Sequence, residues 1–310
     1  MKIKSYAKIN LTLDVLKKEK GYHKILTIFQ QISLHDTLIF KKISPKNKPM
    51  NLGITLTCGN PEVPLNEENT VIKAANLLLK NIPAKKQKKL SSYHVALQKK
   101  IPLRSGLGGG SSNAAATLLT LNQLWHLNLS RKKLSRLASQ IGKDVPFFLH
   151  GGTAVGKNFG EQIVPLPSLP KIPIIIFLQN YKKSTKDQYA ALDLKKCGRQ
   201  TSLTQQLITQ LKKTPQPSKN SPAKNISIKD ALNYINATSH NDFETAIKLS
   251  KNPQINKTLH LKRKLLQIGA SNILMSGAGP SVIAFYPNAK SRDKAYQQLS
   301  VPGQIKSSTL

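Results

Sequence analysis

The stretch Pro102-Leu103-Arg104-Ser105-Gly106-Leu107-Gly108-Gly109-Gly110-Ser111-Ser112-Asn113-Ala114-Ala115-Ala116 decides how the rest of the chain is read. Four glycines in five residues let the backbone turn tightly and keep side chains out of the way. Behind them, Ala114, Leu118, Leu121 and Trp125 recur at helical spacing and predict an amphipathic helix, with Ser111 or Ser112 as its N-cap. A glycine loop opening onto a helix N-terminus turns unpaired N–H groups and the positive end of the macrodipole toward an anion. Hydroxyls at its end can hydrogen-bond a phosphate or reach a phosphate-bound Mg²⁺. The stretch therefore reads as a phosphate cradle. It lacks the Gly-Lys-Ser/Thr of a Walker A loop and the spacing of a dinucleotide fingerprint.

Working outward, the 310 residues suffice for two domains, and a hydrophobic content of 39% supplies cores for both. The longest apolar run, Ile174 to Leu178, falls far short of the ~18 residues of a membrane span. The opening Met1-Lys2-Ile3-Lys4 leads straight into a strand pattern with no secretory h-region. Two cysteines, Cys58 and Cys197, stand in unrelated contexts, which argues against a disulfide framework or a structural zinc site. A cytoplasmic location is expected. The charge is extreme, 48 Lys and Arg against 14 Asp and Glu, or +34. The basic residues run along the whole chain and aromatics make up only 5%, whereas base-stacking surfaces interleave aromatics with charge. We therefore expect biased composition and a general attraction for anionic small molecules, with no nucleic acid and no membrane as partner.

Residues 3 to 15 alternate. Ile3, Ala7, Ile9, Leu11, Leu13 and Val15 share one face, and Lys8, Asn10, Thr12 and Asp14 share the other with Tyr6. This predicts a half-buried strand on which Lys8, from the pattern alone, is a solvated lysine. A polar turn over Lys17 to Lys24 holds Gly21-Tyr22-His23, followed by separate strands over Ile25 to Leu34 and Thr37 to Ile43. A Lys/Pro/Asn loop over Ser44 to Asn51, a strand from Leu52 to Leu56, a helix over Asn69 to Lys80 and a strand through Tyr93, Val95 and Leu97 lead into the loop. A second helix is capped by Ser130 and closed by Gly142. The Pro-rich piece from Pro165 to Pro173 reads as a domain connection, dividing the chain into 1–165 and 166–310. Residues 195–228 read as a basic insertion with a short helix over Ser202 to Lys212 and a mobile stretch over Thr214 to Lys224. Helices over Asp242 to Leu249 and Ile255 to Ile268 follow. Ile273 to Met275 and Val282 to Tyr286 flank Ser276-Gly277-Ala278-Gly279-Pro280-Ser281, and a helix near Asp293 to Leu299 ends the chain.

Between Asn69 and Gly160, among fifteen lysines and arginines, the only acidic residue is Asp144. It sits in a turn bounded by Gly142 and Pro146. It reads either as the N-cap of a helix beginning at Pro146 or as a catalytic carboxylate beside a phosphate loop.

Three separated motifs now resemble the GHMP kinases: Ala7-Lys8-Ile9-Asn10-Leu11, the loop from Pro102 to Ser112, and Ser276 to Ser281. Gly21-Tyr22-His23 and Asp144-Val145-Pro146-Phe147 make the chain similar to one branch, which phosphorylates the 2-hydroxyl of a diphosphocytidyl methylerythritol in non-mevalonate isoprenoid precursor synthesis. The resemblance runs from about residue 3 to about residue 290. It implies a two-domain α+β fold, ribosomal-protein-S5-like followed by ferredoxin-like. It implies ATP as donor, bound by Pro102, Leu103, Arg104, Ser105, Gly106, Leu107, Gly108, Gly109, Gly110, Ser111 and Ser112, with Mg²⁺ touching Ser112. Asp144 matches the family's base and Lys8 the lysine that acts with it. Asn10, Tyr22, His23 and Gly277, with Thr185 and Tyr189 by a looser match, correspond to substrate positions. The chain departs from the family at Arg104-Ser105, where the loop usually begins with small residues, often glycine. A homoserine or mevalonate type of GHMP kinase is the nearest alternative, and a basic nucleic-acid-binding module a more distant one.

Overall fold

The alternating opening segment folds as a single long strand, β1 (Lys2–Glu19), and the chain returns at once along β2 (Tyr22–Lys42). The computed structural model describes residues 1–19, 21–44, 53–179, 185–213, 226–244, 253–299 and 301–310. After β2 come β3 (Ile54–Cys58), α1 (Thr70–Lys80), α2 (Ala84–Gln87), β4 (Tyr93–Gln98), α3 (Gly109–Leu124), α4 (Arg131–Ile141) and α5 (Val145–His150). Then follow β5 (Thr153–Lys157), β6 (Gln162–Leu166), β7 (Pro173–Phe177), α6 (Thr185–Ala190), α7 (Thr201–Lys212), α8 (Ile228–Thr238) and β8 (His240–Asn241). The chain closes with α9 (Pro253–Gln267), β9 (Asn272–Met275), β10 (Val282–Phe285), α10 (Ala289–Leu299) and β11 (Gln304–Ser308). The class is α+β.

Two compact units share this chain. The first comprises Met1–Ala7, Leu34–Leu103 and Gly108–His150. In it the later half of β2 pairs antiparallel with β4, from Thr37 opposite Gln98 to Lys42 opposite Tyr93, and β3 lies parallel to β4. Its core joins Leu38 and Val95 of the strands to Val71 and Leu78 of α1, Ala114, Leu118 and Leu121 of α3, and Leu134 and Leu137 of α4. Asn69 caps α1 by accepting from the Val71 N–H, and Ser130 caps α4 by accepting from that of Lys133, so both helices start where a side-chain oxygen replaces the missing turn.

The second unit comprises Lys8–Ser33, Arg104–Leu107 and Gly151–Leu310. Here β1 runs parallel to β8, the earlier half of β2 pairs with β5, and β6 pairs with β5. A second sheet has the order β11-β7-β10-β9, all antiparallel. Numbered by their own succession its strands run 4-1-3-2, and with α9 and α10 between them this is the ferredoxin-like split βαβ arrangement. Leu265 of α9 and Ala295 and Leu299 of α10 pack with Ile175, Phe177, Val282 and Ala284. No helix among the described residues is long and apolar enough to cross a membrane.

Several elements differ from expectation. Lys8 is 4% exposed and Asp14 is fully buried, so β1 is covered on both faces from Ala7 to Val15 and Lys8 is not a solvated lysine. The two strands expected after the first turn are one, because β2 pairs with β5 through its first half and β4 through its second. β2 starts at Tyr22, so Tyr22 and His23 open the strand instead of lying in the turn. Helix α3 begins at Gly109, with left-handed Gly108 (φ 73°) in the cap position, so neither Ser111 nor Ser112 is its N-cap. β6 and β11 were not anticipated, and the chain ends on a strand. Within the expected insertion, α7 is built into a core through Thr204, Leu207, Ile208 and Leu211. The stretch Thr214 to Lys224, most of the expected Ser44 to Asn51 loop and the end of the expected helix over Asp242 to Leu249 lie outside the described residues.

Candidate active site

In the second unit a buried polar relay starts at Lys8. Its Nζ donates to Asn10 Oδ1 at 2.8 Å, Asn10 Nδ2 donates to Thr27 Oγ1 at 2.8 Å, and Thr27 Oγ1 donates to the Thr12 carbonyl at 2.6 Å. The terminal carbonyl can only accept, which fixes the direction of every bond before it and leaves the Asn10 oxygen for the ammonium. Lys8 Nζ also lies 5.3 Å from the centroid of the Phe29 ring, within cation–π range. A lysine this buried needs such partners, and together they fix where its charge sits.

The middle of the glycine loop is pinned to the same place. The Lys8 N–H donates to the Leu107 carbonyl at 3.0 Å. Gly106 has φ 77°, and a Cβ there would lie 2.8 Å from both the Ser276 and Gly279 carbonyl oxygens, so only glycine fits. Ser281 Oγ donates to the Ser105 carbonyl at 2.6 Å. Gly277 has φ 57°, and a Cβ on it would stand 3.5 Å from Asn10 Oδ1 and 3.6 Å from Lys8 Nζ. Lys8, Asn10, Ser105, Gly106, Leu107 and Gly277 are thus brought together. Arg104 is exposed and takes a left-handed φ of 52°, a conformation that strains a side chain with a Cβ.

In the first unit the loop passes into α3, whose first N–H groups have no partner from the turn before. Ser112 is buried and its hydroxyl lies 2.6 Å from that of Ser5, which also accepts from Asn113 Nδ2 at 2.9 Å. Asp36, fully buried, ties both ends of this segment. Its Oδ1 accepts from the N–H groups of Lys100 and Ile101 at 2.7 and 2.8 Å. Its Oδ2 accepts from Asn113 Nδ2 at 3.0 Å and from Lys99 Nζ. Pro102 and Leu103 follow directly. Asp144 is half-buried and immediately precedes α5, which starts at Val145, one residue earlier than expected; its carbonyl accepts from the Phe147 N–H at 3.2 Å.

The expected substrate residues of the second unit form an aromatic group. The His23 ring stacks on Tyr189 of α6, centroids 4.9 Å apart and planes at 20°, and Tyr189 meets Phe243 edge-on at 4.8 Å. Tyr22, 56% exposed, leans on Phe159. Burial, and then the charge of Lys18, lower the pKa of His23, so it presents a neutral imidazole with one donor and one acceptor at neutral pH. Thr185 opens α6.

Sequence reasoning missed Thr27, Asp36, Asn241 and the pair Asp14–His240. Thr27 lies in a segment read only as a strand, and Asp36 falls in the gap between the two strands expected there. Asn241 and His240 had no motif to mark them, and Asp14 was read on the polar side of a half-buried strand, whereas it is fully buried. Among the described residues no group of three or more His, Cys, Asp or Glu side chains could hold a metal ion.

Residues 69–152 match the family model described as GHMP kinases N terminal domain, and 240–303 match GHMP kinases C terminal. The molecule is a GHMP kinase, with its two-domain α+β fold. The 4-diphosphocytidyl-2-C-methyl-D-erythritol kinase of Caldicellulosiruptor bescii is 34% identical over 97% of this chain and 94% of its own length. That of Syntrophus aciditrophicus is 35% identical over 98% and 96%. A crystal structure of 4-(cytidine 5'-diphospho)-2C-methyl-D-erythritol kinase superposes with a TM-score of 0.74 at 27% identity, covering 100% of this chain and 99% of that one. The chain belongs to the 4-diphosphocytidyl-2-C-methyl-D-erythritol kinase family.

Proposed function

We propose that the chain transfers the γ-phosphoryl group of ATP to the 2-hydroxyl of 4-diphosphocytidyl-2-C-methyl-D-erythritol, releasing ADP and the 2-phosphate. This is a step of non-mevalonate isoprenoid precursor synthesis, and we place it in the cytoplasm, with neither nucleic acid nor membrane required. The observation that carries the reading is the buried Lys8–Asn10–Thr27 relay set against two left-handed glycines, Gly106 and Gly277, in a chain of this family. Near-full-length identity to these relatives favours this substrate over the homoserine or mevalonate alternative.

Phosphoryl transfer asks a protein mainly for positioning and charge stabilisation. The substrate oxygen bonds to the γ-phosphorus as the bond to ADP breaks, and the hydroxyl proton goes to Asp144. Lys8 stabilises charge on the attacking oxygen and the transferred group. The loop from Pro102 to Ser112 holds the triphosphate through its N–H groups and the start of α3. With no carboxylate cage among the described residues, Mg²⁺ would be held by phosphate oxygens and water, with the Ser112 hydroxyl as the protein's contact. When bound, it neutralises phosphate charge. Asn10, Tyr22, His23, Thr185, Tyr189 and Gly277 serve the diphosphocytidyl substrate, the neutral His23 pairing with the cytosine edge. We assign residues 1–165 and 166–310 to the family's two domains, a division along the chain that differs from the two interleaved compact units.

The test is ADP release with ATP and the diphosphocytidyl alcohol together and with each alone. Release should require both. Asp144→Asn should lower turnover about 10²- to 10⁴-fold, the range of a general base, with a normal melting curve. Turnover within threefold of the unmodified chain would remove Asp144 from the chemistry.

A further inference from the structure

The turn Ser276-Gly277-Ala278-Gly279-Pro280 has left-handed φ at both glycines. Glycine has more backbone freedom than any other residue, and Gly277 has no side chain by which it could be held. Its carbonyl is a handle, and one buried side chain grips it. Asn241, 5% exposed, donates from Nδ2 to the carbonyls of Gly277 and of Met275, each at 2.8 Å, while its Oδ1 accepts from the Phe243 N–H at 3.0 Å. Both acceptors are carbonyls, so the amide can face only one way. Asn241 is itself registered on β1, opposite Leu13.

We propose that Asn241 is a positioning residue for the phosphoryl transfer. It fixes the turn whose Gly277 backs the Lys8–Asn10 pair and whose carbonyls crowd Gly106. The inference rests on the role assigned above to Lys8. It follows that Asn241 acts on turnover through Lys8, and that loosening the turn costs what a misplaced catalytic group costs, up to about a hundredfold.

A double-mutant cycle reads this directly. Asn241→Ala and Asn241→Ser are made alone and in Lys8→Met, with kcat, both KM values and cooperative melting measured for each. Asn241→Ala should lower kcat about ten- to a hundredfold, and Asn241→Ser, which keeps one donor, by less. In Lys8→Met the same changes should cost under about threefold more, because the group they position is gone. Full additivity, or wild-type kcat in Asn241→Ala, would overturn the inference. So would failure of both Asn241 variants to melt cooperatively, which would make Asn241 a support of the fold alone. Wild-type kcat in Lys8→Met would instead remove the assignment of Lys8, and this inference with it.

Discussion

Two glycines four residues apart illustrate how much a single Cβ can decide. At Gly106 a methyl group would meet two backbone oxygens at 2.8 Å in a left-handed conformation. Gly106→Ala should therefore cost at least about 1–3 kcal/mol, as strained backbone sites do. At Gly110, in the first turn of α3, the nearest atom is Thr70 Oγ1 at 3.5 Å, an ordinary contact. Alanine there gains up to about 1 kcal/mol of helix propensity. Urea titrations of the two variants should move the midpoint in opposite directions. His240 makes a different residue-scale prediction. Its Nδ1 and Nε2 lie 2.8 Å from the Thr238 carbonyl and from Asp14 Oδ1, and Asp14 Oδ2 also accepts from Thr204. Two acceptors call for two N–H donors, the imidazolium. Burial opposes that charge, but the hydrogen bond and charge of Asp14 outweigh it and the pKa is raised. A raised histidine contributes stability fully below its unfolded value and loses it as pH rises through the folded one. Stability should thus fall from about pH 6 upward beyond the ordinary histidine value, and His240→Gln should flatten that slope.

At the scale of elements, Asp36 is the clip that joins β2 to the two ends of the glycine loop. Asp36→Asn keeps the shape, yet its NH₂ would face the Lys99 ammonium and the Asn113 amide, both donors. Removing one side of a buried ion pair costs about 3–5 kcal/mol, and urea unfolding should register it. Amide exchange at Lys100 and Ile101 should accelerate in the same variant, since their acceptor is weakened. Helices α1 and α4 were legible in the sequence because caps and apolar spacing are local signals: Asn69 and Ser130 mark true starts. β11 was not, because Gln304-Ile305-Lys306-Ser307-Ser308 has neither alternation nor bulk, and it is a strand because β7 offers it an edge. β6 was hidden by Pro165, which a strand tolerates when it pairs on one side only, as β6 does with β5.

At the scale of the whole molecule, the charge of +34 sets a trade-off with salt. Like charges repel within the folded chain, and the same field draws in polyphosphate substrates. Raising ionic strength from about 0.02 to 0.5 M shortens the Debye length several-fold. The melting temperature should rise over that range while kcat/KM for both anionic substrates falls. A kcat/KM indifferent to salt would show that the charge does nothing for encounter.

What the sequence determined by itself was the set of parts: the glycine loop, the capped helix pair, the polar-faced first strand, the lone Asp144 and the motif around Gly277. Each is written in neighbouring residues, where spacing, caps and glycine chemistry act over a few bonds. The tertiary structure alone decided what those parts touch. It turned Lys8 from a solvated strand lysine into a buried one, because the polar face of β1 is covered there by the Phe29 ring and by the turn at Gly277, and Gly277 lies far away in the chain. It also gave Asn241 and Asp36 their roles, for a hydrogen bond across 36 or 77 residues leaves no local trace at either end.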